Sequence, residues 1–346
     1  MSLQAPTADS QAPSSDIQVP AKRQRTDTEG TDALSTPARC QRFWFEDGSV
    51  VLYVGSTPGA MIFRVHKTML ANNSEIFKDM FSIPQPPGQE QIDDCPVIRL
   101  PDDPPRIWME LLAALYDILF FDKTMSLLGP ACISRLGNVA TLSTKYRFVS
   151  LRRKCISSLS SFGCVTSTLT TRARPLPFIE ATLLLMAARN ANIPTLLPFA
   201  FLSVAYQDNG QLNMILDCPG LPVADKAVAL NGLQNLLELQ RTLMFPFVDN
   251  FKNAKLCDAD CELDVVECFP MLFLRPHALQ FHHGLDGRPL FEEAKGALCA
   301  HCYKDVCNMY YSGRQKVWEM FPSIFRVGNN WDELLRVQNY DAETPL

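Results

Sequence analysis

A short strand pattern that gives way to two helices constrains the fold of this chain more than any other feature. The segment SVVLYV, ending at Val54, alternates at period two, which is the pattern of a strand with one buried face. The preceding FWFEDG ends in an Asp-Gly turn, so we expect two strands joined at Asp47 and Gly48 as a hairpin. A third strand is expected from Ile62 to Val65, after a Pro/Gly turn.

Helices are predicted directly after the third strand. In the second of them, four apolar residues recur at spacings of three and four and therefore share one face: Ile76, Phe77, Met80 and Phe81. Ser74 precedes them and offers a hydroxyl as the N-cap. A later helix, opened by Asp102, Asp103 and two prolines, carries a wide apolar face that includes Trp108 and Tyr116. Short strands mixed with helices predict one α+β domain over residues 40–165.

These residues resemble the BTB/POZ domain over residues 40 to about 162, a span typical of a single domain. The similarity is carried by the segment FRVHKTMLANNSEIFKDMF and by the following positions: Asp47, His66, Lys67, Leu70, Ser74, Phe77, Trp108 and Tyr116. The Asp-Gly turn and the helical tail are similar to the BTB proteins of mushroom-forming fungi. The resemblance implies a protein-interaction domain, often a homodimer, with no catalytic activity of its own.

Two departures from the family pattern concern its partners. In many BTB dimers, a basic residue at the position of Lys67 and an acid at the start of the second strand line a shared pocket for partner peptides. Ser49 stands here at the position of the acid, with Asp47 two residues earlier. BTB adaptors of cullin ubiquitin ligases usually carry a hydrophobic-x-Glu motif after the helix that ends at Phe81, where this chain reads Ile83, Pro, Gln. Because this motif is not matched, a cullin substrate adaptor is an alternative function and not the expected one.

His66 is expected to pack and hydrogen-bond at the junction between the third strand and the first helix. No Asp, Glu or Cys stands at a local spacing that would orient it as a general base. The sequence also contains no glycine-rich phosphate loop, HExxH, GxSxG or dinucleotide fingerprint. We therefore predict that the protein is not an enzyme and binds no organic cofactor.

The N-terminal residues 1–38 contain no aromatic residue and are rich in Pro, Ser, Thr and Gln, a composition that predicts a disordered tail. Within the tail, Lys22, Arg23 and Arg25 form either a nuclear-import signal or a solvated charge cluster. The net charge of −5 provides no overall field that would hold a nucleic acid, so binding one would require a local basic patch and is not expected. No secretory signal and no membrane-length apolar run is found, so an intracellular location in the nucleus, the cytoplasm or both is expected.

The C-terminal half has a helical texture, and residues 170–345 are predicted to form an all-α domain. Its segment 257–307 holds six of the twelve cysteines and four of the five histidines. Two cysteine pairs have spacings that suit a tetrahedral zinc site: Cys257 with Cys261, and Cys299 with Cys302. The alternative is that these cysteines are small buried hydrophobes. Both interpretations remain open, and zinc is the one cofactor considered.

The expected function is a scaffold or adaptor that forms a homodimer through the BTB-like domain and recruits unidentified proteins through its helical domain. A second hypothesis is a nuclear, transcription-related regulator whose Cys/His-rich segment binds zinc. The identity of the partners is not encoded in any short motif of the sequence.

Overall fold

The computed structural model describes residues 37–84, 88–163, 175–206, 212–247 and 299–343. The predicted N-terminal tail lies outside these residues up to position 36. The described residues belong to one compact unit that begins at Pro37. Among them, no helix combines the length and the apolar composition needed to cross a membrane.

Among the described residues, five strands form one sheet in the order β1-β3-β2-β5-β4. Their bounds are β1 Ala38–Trp44, β2 Val50–Val54, β3 Met61–Val65, β4 Gln91–Ile92 and β5 Cys95–Leu100. β2 is antiparallel to β3 and parallel to β5. It is therefore an interior strand, and it is buried on both faces rather than on the single face that the sequence predicts. Val50, Leu52 and Val54 face the main core, whereas Val51 lies in a smaller apolar cluster on the opposite face.

The predicted hairpin between β1 and β2 is wrong. β1 runs parallel to β3 and pairs Ala38 with Met61, so β3 lies between β1 and β2. The turn exists, but it carries the chain across the end of β3: the N–H of Phe45 donates to Arg64 O at 3.0 Å, and the N–H of Ser49 donates to Val65 O at 2.9 Å. The hairpin is formed by β2 and β3 instead. A period-two pattern identifies strands and faces, but the choice of neighbour is made by tertiary packing.

In the described ranges up to residue 163, the strands are accompanied by the helices α1 Lys67–Asn73, α2 Glu75–Ser82, α3 Pro105–Tyr116, α4 Phe120–Met125, α5 Gly129–Lys145 and α6 Val149–Ser160. Ser74 caps α2 as predicted, since its Oγ accepts the N–H of Phe77 at 3.1 Å. The same hydroxyl donates to the carbonyl of Tyr146 at 2.5 Å. The N-cap thus also ties α2 to the end of α5.

The described remainder of the chain is helical, as predicted. It contains α7 Phe178–Asn190, a 3-10 turn Pro194–Leu196, α8 Leu197–Ala205, α9 Leu212–Asp217, α10 Val223–Leu239, a π-helical turn Gln240–Met244, α11 Ala300–Glu319, α12 Phe321–Ile324 and α13 Trp331–Glu343. Every residue of α8 is buried, so this helix lies at the centre of the region. In α10 the side chains of Leu230, Leu233 and Leu237 are only half-buried, and the buried line runs through Ala229, Gly232 and Leu236.

The apolar core is continuous from the sheet to the last helix. One cluster joins β2, β3, α2, α3 and α5 with α7, α8, α11 and α13. In its first part the ring of Phe77 lies edge-on to Trp108, with centroids 6.0 Å apart. In its second part the ring of Phe201 stacks on Phe325 at 5.7 Å. The α+β part and the helical part therefore share one hydrophobic core.

Candidate functional site

The candidate site lies where the turn between β1 and β2 meets the start of α1. Gly48 belongs to this turn: its N–H donates to Phe45 O at 3.0 Å, and its carbonyl accepts from Arg64 Nε at 3.1 Å. A Cβ at this position would come within 2.8 Å of Arg64 Cγ and 2.9 Å of Phe45 O, so the packing favours glycine. The turn consequently holds its two exposed neighbours, Asp47 and Ser49, in a defined position.

His66 links the turn to the end of α3. Its Nε2 lies 3.1 Å from Asp47 Oδ1, and its Nδ1 lies 3.0 Å from the hydroxyl of Tyr116. The same hydroxyl accepts the backbone N–H of His66 at 3.2 Å. A neutral ring with its proton on Nε2 satisfies all of these groups, because Nε2 then donates to the carboxylate and the Tyr116 hydroxyl donates to Nδ1. The ring of Phe45 packs 5.0 Å from His66 and 4.9 Å from Tyr116.

No acid stands at a local spacing from His66, but Asp47 reaches its ring from the turn between β1 and β2. Sequence spacing missed this contact since the two residues meet only through the fold. The hydrogen bond with His66 holds the pKa of Asp47 below its ordinary value, and burial raises the pKa of Tyr116. Asp47 is 84% exposed at its side chain, so its carboxylate faces solvent. The contacts therefore anchor a surface carboxylate to α1 and α3.

Lys67 and Ser49 complete this surface. Ser49 Oγ accepts the backbone N–H of Lys67 at 3.0 Å and satisfies an amide at the start of α1. The Lys67 ammonium lies 5.4 Å from the centroid of the Phe81 ring. The turn and the start of α1 thus carry opposite charges, Asp47 on the turn and Lys67 on the helix. Such an arrangement can form charge-assisted hydrogen bonds with a polypeptide.

Four other residues of the predicted motif belong to the core and not to the surface. The side chains of Leu70, Phe77 and Trp108 are fully buried, and Ser74 is buried as the cap of α2. They hold the sheet, α2 and α3 together. Their role is to keep the Asp47–Lys67 surface, defined as Asp47, Ser49, His66 and Lys67, in place.

A buried polar network around Asp103 was missed by the sequence analysis, which assigned this residue only to the start of α3. Its carboxylate accepts from Trp108 Nε1 at 2.9 Å, from Lys145 Nζ at 2.6 Å and from the Tyr146 hydroxyl. Burial opposes ionisation of Asp103, but these donors outweigh it, and its pKa lies below the ordinary value. Burial and the bond to Asp103 both raise the pKa of Tyr146. The sequence signal for this network was Trp108, which the family resemblance includes, together with the adjacent Lys145 and Tyr146.

The remaining predicted site residues are the basic residues of the N-terminal tail and the four cysteines. Five lie outside the described residues: Lys22, Arg23, Arg25, Cys257 and Cys261. Cys299 is the N-cap of α11, and its Sγ accepts the N–H of Cys302 at 3.4 Å. Within the described ranges, no group of three or more His, Cys, Asp or Glu side chains is placed to hold a metal ion. The structure thus brings together two of the four predicted zinc ligands and does not describe the other two.

Comparison with known proteins identifies one part of the chain. The family model for the BTB/POZ domain matches residues 47–162, which run from the turn before β2 to the loop after α6. No curated protein and no solved structure matches the chain. The match covers about a third of the sequence and contains short strands followed by helices. Residues 47–162 are therefore a BTB/POZ domain, a module that generally mediates protein–protein interactions.

Proposed function

We propose that the protein is a non-enzymatic interaction module that self-associates through its BTB domain and recruits a further protein as a scaffold or adaptor. The observation that carries this proposal is the BTB/POZ domain at residues 47–162. The closer similarity to BTB proteins of mushroom-forming fungi stays a prediction, as does a location in the nucleus, the cytoplasm or both.

The edge of the sheet supports self-association. β1 is the first strand in the sheet order, so one of its two sides has no strand neighbour among the described residues. Exposed edges of this kind are templates for pairing with another chain. The aromatic segment at this edge is only partly exposed, because Phe43 is buried whereas Trp44 and Phe45 are half-buried. The open strand edge therefore supports the proposal better than the aromatic rings do.

Exposed apolar residues on the surface of the BTB domain also support self-association. Two loops flank α4, and each carries a pair of exposed apolar side chains: Ile118 and Leu119 in the first, Leu127 and Leu128 in the second. Ile118 is 96% exposed and Leu128 is 74% exposed. Exposed apolar side chains that cluster on a domain are typical of protein contacts.

Self-association is tested by light scattering on the full chain with the Gln41→Pro and Gln41→Ala variants. Gln41 is exposed on β1, and proline removes a main-chain donor from an edge strand whereas alanine keeps it. We expect twice the mass of one chain for the wild type and for Gln41→Ala, and a loss of mass for Gln41→Pro. Circular dichroism establishes that each variant is folded. A wild-type protein that stays a monomer at tens of micromolar contradicts self-association.

Partner recruitment is tested with a charge reversal at the Asp47–Lys67 surface. Lys67→Glu removes the positive charge, and Lys78→Glu makes the same change at an exposed position of α2. Proteins captured by the wild type should be lost with Lys67→Glu and kept with Lys78→Glu. Deleting the whole BTB domain is a poorer test, because the helical region shares its core. Equal capture by both variants excludes this surface as the partner site.

Two alternative functions stay predictions. A nuclear regulator requires import directed by Lys22, Arg23 and Arg25, and replacing these three residues by alanine should move a fluorescent fusion out of the nucleus.

A cullin adaptor requires a contact after α2, where Ile83 is 63% exposed. Binding of a purified cullin N-terminal domain to the wild type and to Ile83→Asp tests this alternative, and equal or absent binding argues against it.

A further inference from the structure

We infer that Cys299 and Cys302 form a reversible intramolecular disulfide at the start of α11. This site lies in the helical region, outside the BTB domain, and does not depend on the function proposed above. By their sequence spacing, the two thiols are either half of a zinc site or core residues. Their local geometry points to a redox-active pair.

The two cysteines occupy the positions at which a helix start brings thiols together. Cys299 is the N-cap of α11, with an extended backbone at φ −63° and ψ 158°, and Cys302 is the third residue of the helix. The side chain of an N-cap residue lies over the first turn, where it meets the backbone amide of the third helical residue. The N–H of Cys302 donates to Cys299 Sγ at 3.4 Å, so the first sulfur already lies over the turn that holds the second cysteine. The N-cap residue lies outside the helix proper and can adjust without breaking the helix ladder.

The Cys299 sulfur lies at the start of a long helix, within hydrogen-bond distance of a backbone amide. The helix N-terminus has a positive electrostatic potential, and α11 is a 20-residue helix. The Cys302 N–H donates directly to the sulfur. The first turn contains no acidic residue, and the exposed His301 between the two cysteines contacts Asp305 of the next turn, with 3.3 Å between Nε2 and Oδ2.

Exposure divides the two thiols into an attacking and a resolving residue. Cys299 is half-buried and can meet a small oxidant, whereas Cys302 is buried and needs to reach only Cys299. Other cysteines of the chain differ. Burial raises the pKa of Cys132 and of Cys307, and it raises that of Cys155 to about 12. These thiols are disfavoured as nucleophiles, which makes Cys307 a suitable internal reference.

The reaction balances with a low-molecular-weight disulfide such as glutathione disulfide as the oxidant. The Cys299 thiolate attacks one sulfur of the oxidant, forms a mixed disulfide and releases one glutathione thiolate. Cys302 then loses its proton to solvent and attacks the Cys299 sulfur, which releases the second glutathione thiolate. The protein loses two electrons and two protons, and glutathione disulfide is reduced to two thiols.

The experiment is mass spectrometry of the full chain after incubation with glutathione disulfide, alkylation and tryptic digestion. The sequence suits it, because the peptide GALCAHCYK contains Cys299 and Cys302 and no other cysteine, whereas DVCNMYYSGR contains only Cys307. We expect the first peptide to become lighter by two hydrogen atoms and to lose both alkyl groups, while the second stays alkylated. A reducing agent should reverse the change.

Three variants and a metal assay identify the roles. Cys302→Ser should accumulate glutathione on Cys299, Cys299→Ser should react far more slowly at Cys302, and Cys307→Ser should oxidise like the wild type. Zinc content is measured on the same reduced sample. The proposal is overturned if GALCAHCYK stays doubly alkylated, if Cys307 oxidises as readily, or if bound zinc keeps the pair reduced. The wild-type peptide decides the question even where a variant does not fold.

Discussion

At the scale of single residues, Asp103 shows how a buried charge is stabilised by its surroundings. An isolated carboxylate in this position would be costly, because burial removes its hydration. Three donors, from Trp108, Lys145 and Tyr146, replace the lost water and join the start of α3 to the end of α5. The charge is thus tied to the fold, and stability should depend on it.

This dependence predicts a pH effect. The pKa of Asp103 is below its ordinary value of 3.8 in the folded protein, so its stabilisation is present above that value and is lost as the pH falls through the folded pKa. Asp103→Asn should lower the free energy of unfolding at neutral pH, and the difference from the wild type should shrink in acid. Urea unfolding from pH 7 to pH 3 measures it. The exposed Asp102→Asn serves as the control, and a pH-independent difference contradicts the argument.

At the scale of elements, α11 and the π-helical turn after α10 approach each other at backbone distance. A Cβ on Gly313 of α11 would lie 1.9 Å from Leu243 O and 2.9 Å from Met244 Cα. Elsewhere in a helix, alanine in place of glycine stabilises by about 0.5–1 kcal/mol. Here the clash is with backbone, which has little room to move. Replacing Gly313 by alanine should therefore destabilise the protein instead of stabilising it.

We predict that Gly313→Ala lowers the free energy of unfolding by about 1–3 kcal/mol, the range for overpacking a tight site. The matched control is Ser312→Ala at the exposed neighbouring position, which should be neutral or slightly stabilising. Thermal and urea denaturation compare the two variants. A Gly313→Ala protein as stable as the control would show that α11 and the π-helical turn can move apart at little cost.

At the scale of the whole molecule, Arg152 of α6 joins the BTB domain to the helical region. This buried side chain donates to Thr144 Oγ1 at 3.0 Å, to Asn192 O at 2.8 Å and to Gln338 O at 3.2 Å. Thr195 Oγ1 reaches the side chain of Gln338 at 2.6 Å. One guanidinium therefore connects α5, the end of α7 and α13.

We predict that Arg152→Lys destabilises the protein by about 2 kcal/mol or more, because one ammonium does not reproduce the planar fork and leaves buried acceptors unsatisfied. Arg153→Lys, an exposed substitution at the next position, should change little. Because the two regions share a core, unfolding should remain a single transition by fluorescence and by circular dichroism. Two separate transitions in the wild type would show that the regions are stable independently.

Several features of the fold follow from short-range pattern alone. The apolar alternation of β2 and the spacing of three and four in α2 identify a strand and a helix, because each period places side chains on defined faces. Ser74 was recognisable as a cap because an N-cap bonds to an amide only three residues away. The BTB/POZ domain was recognisable because many such positions occur together at fixed spacing.

The sequence by itself determined most of the strands and helices, the buried face of α2 and the type of the first domain. Only the tertiary structure decided which strand β1 pairs with, that Asp47 meets His66, and that Asp103 and Arg152 collect donors and acceptors from distant helices. The physical reason is the distance along the sequence over which each interaction acts. Periodicity and capping act over a few residues, whereas strand order and buried polar networks depend on segments that meet only when the shared core closes.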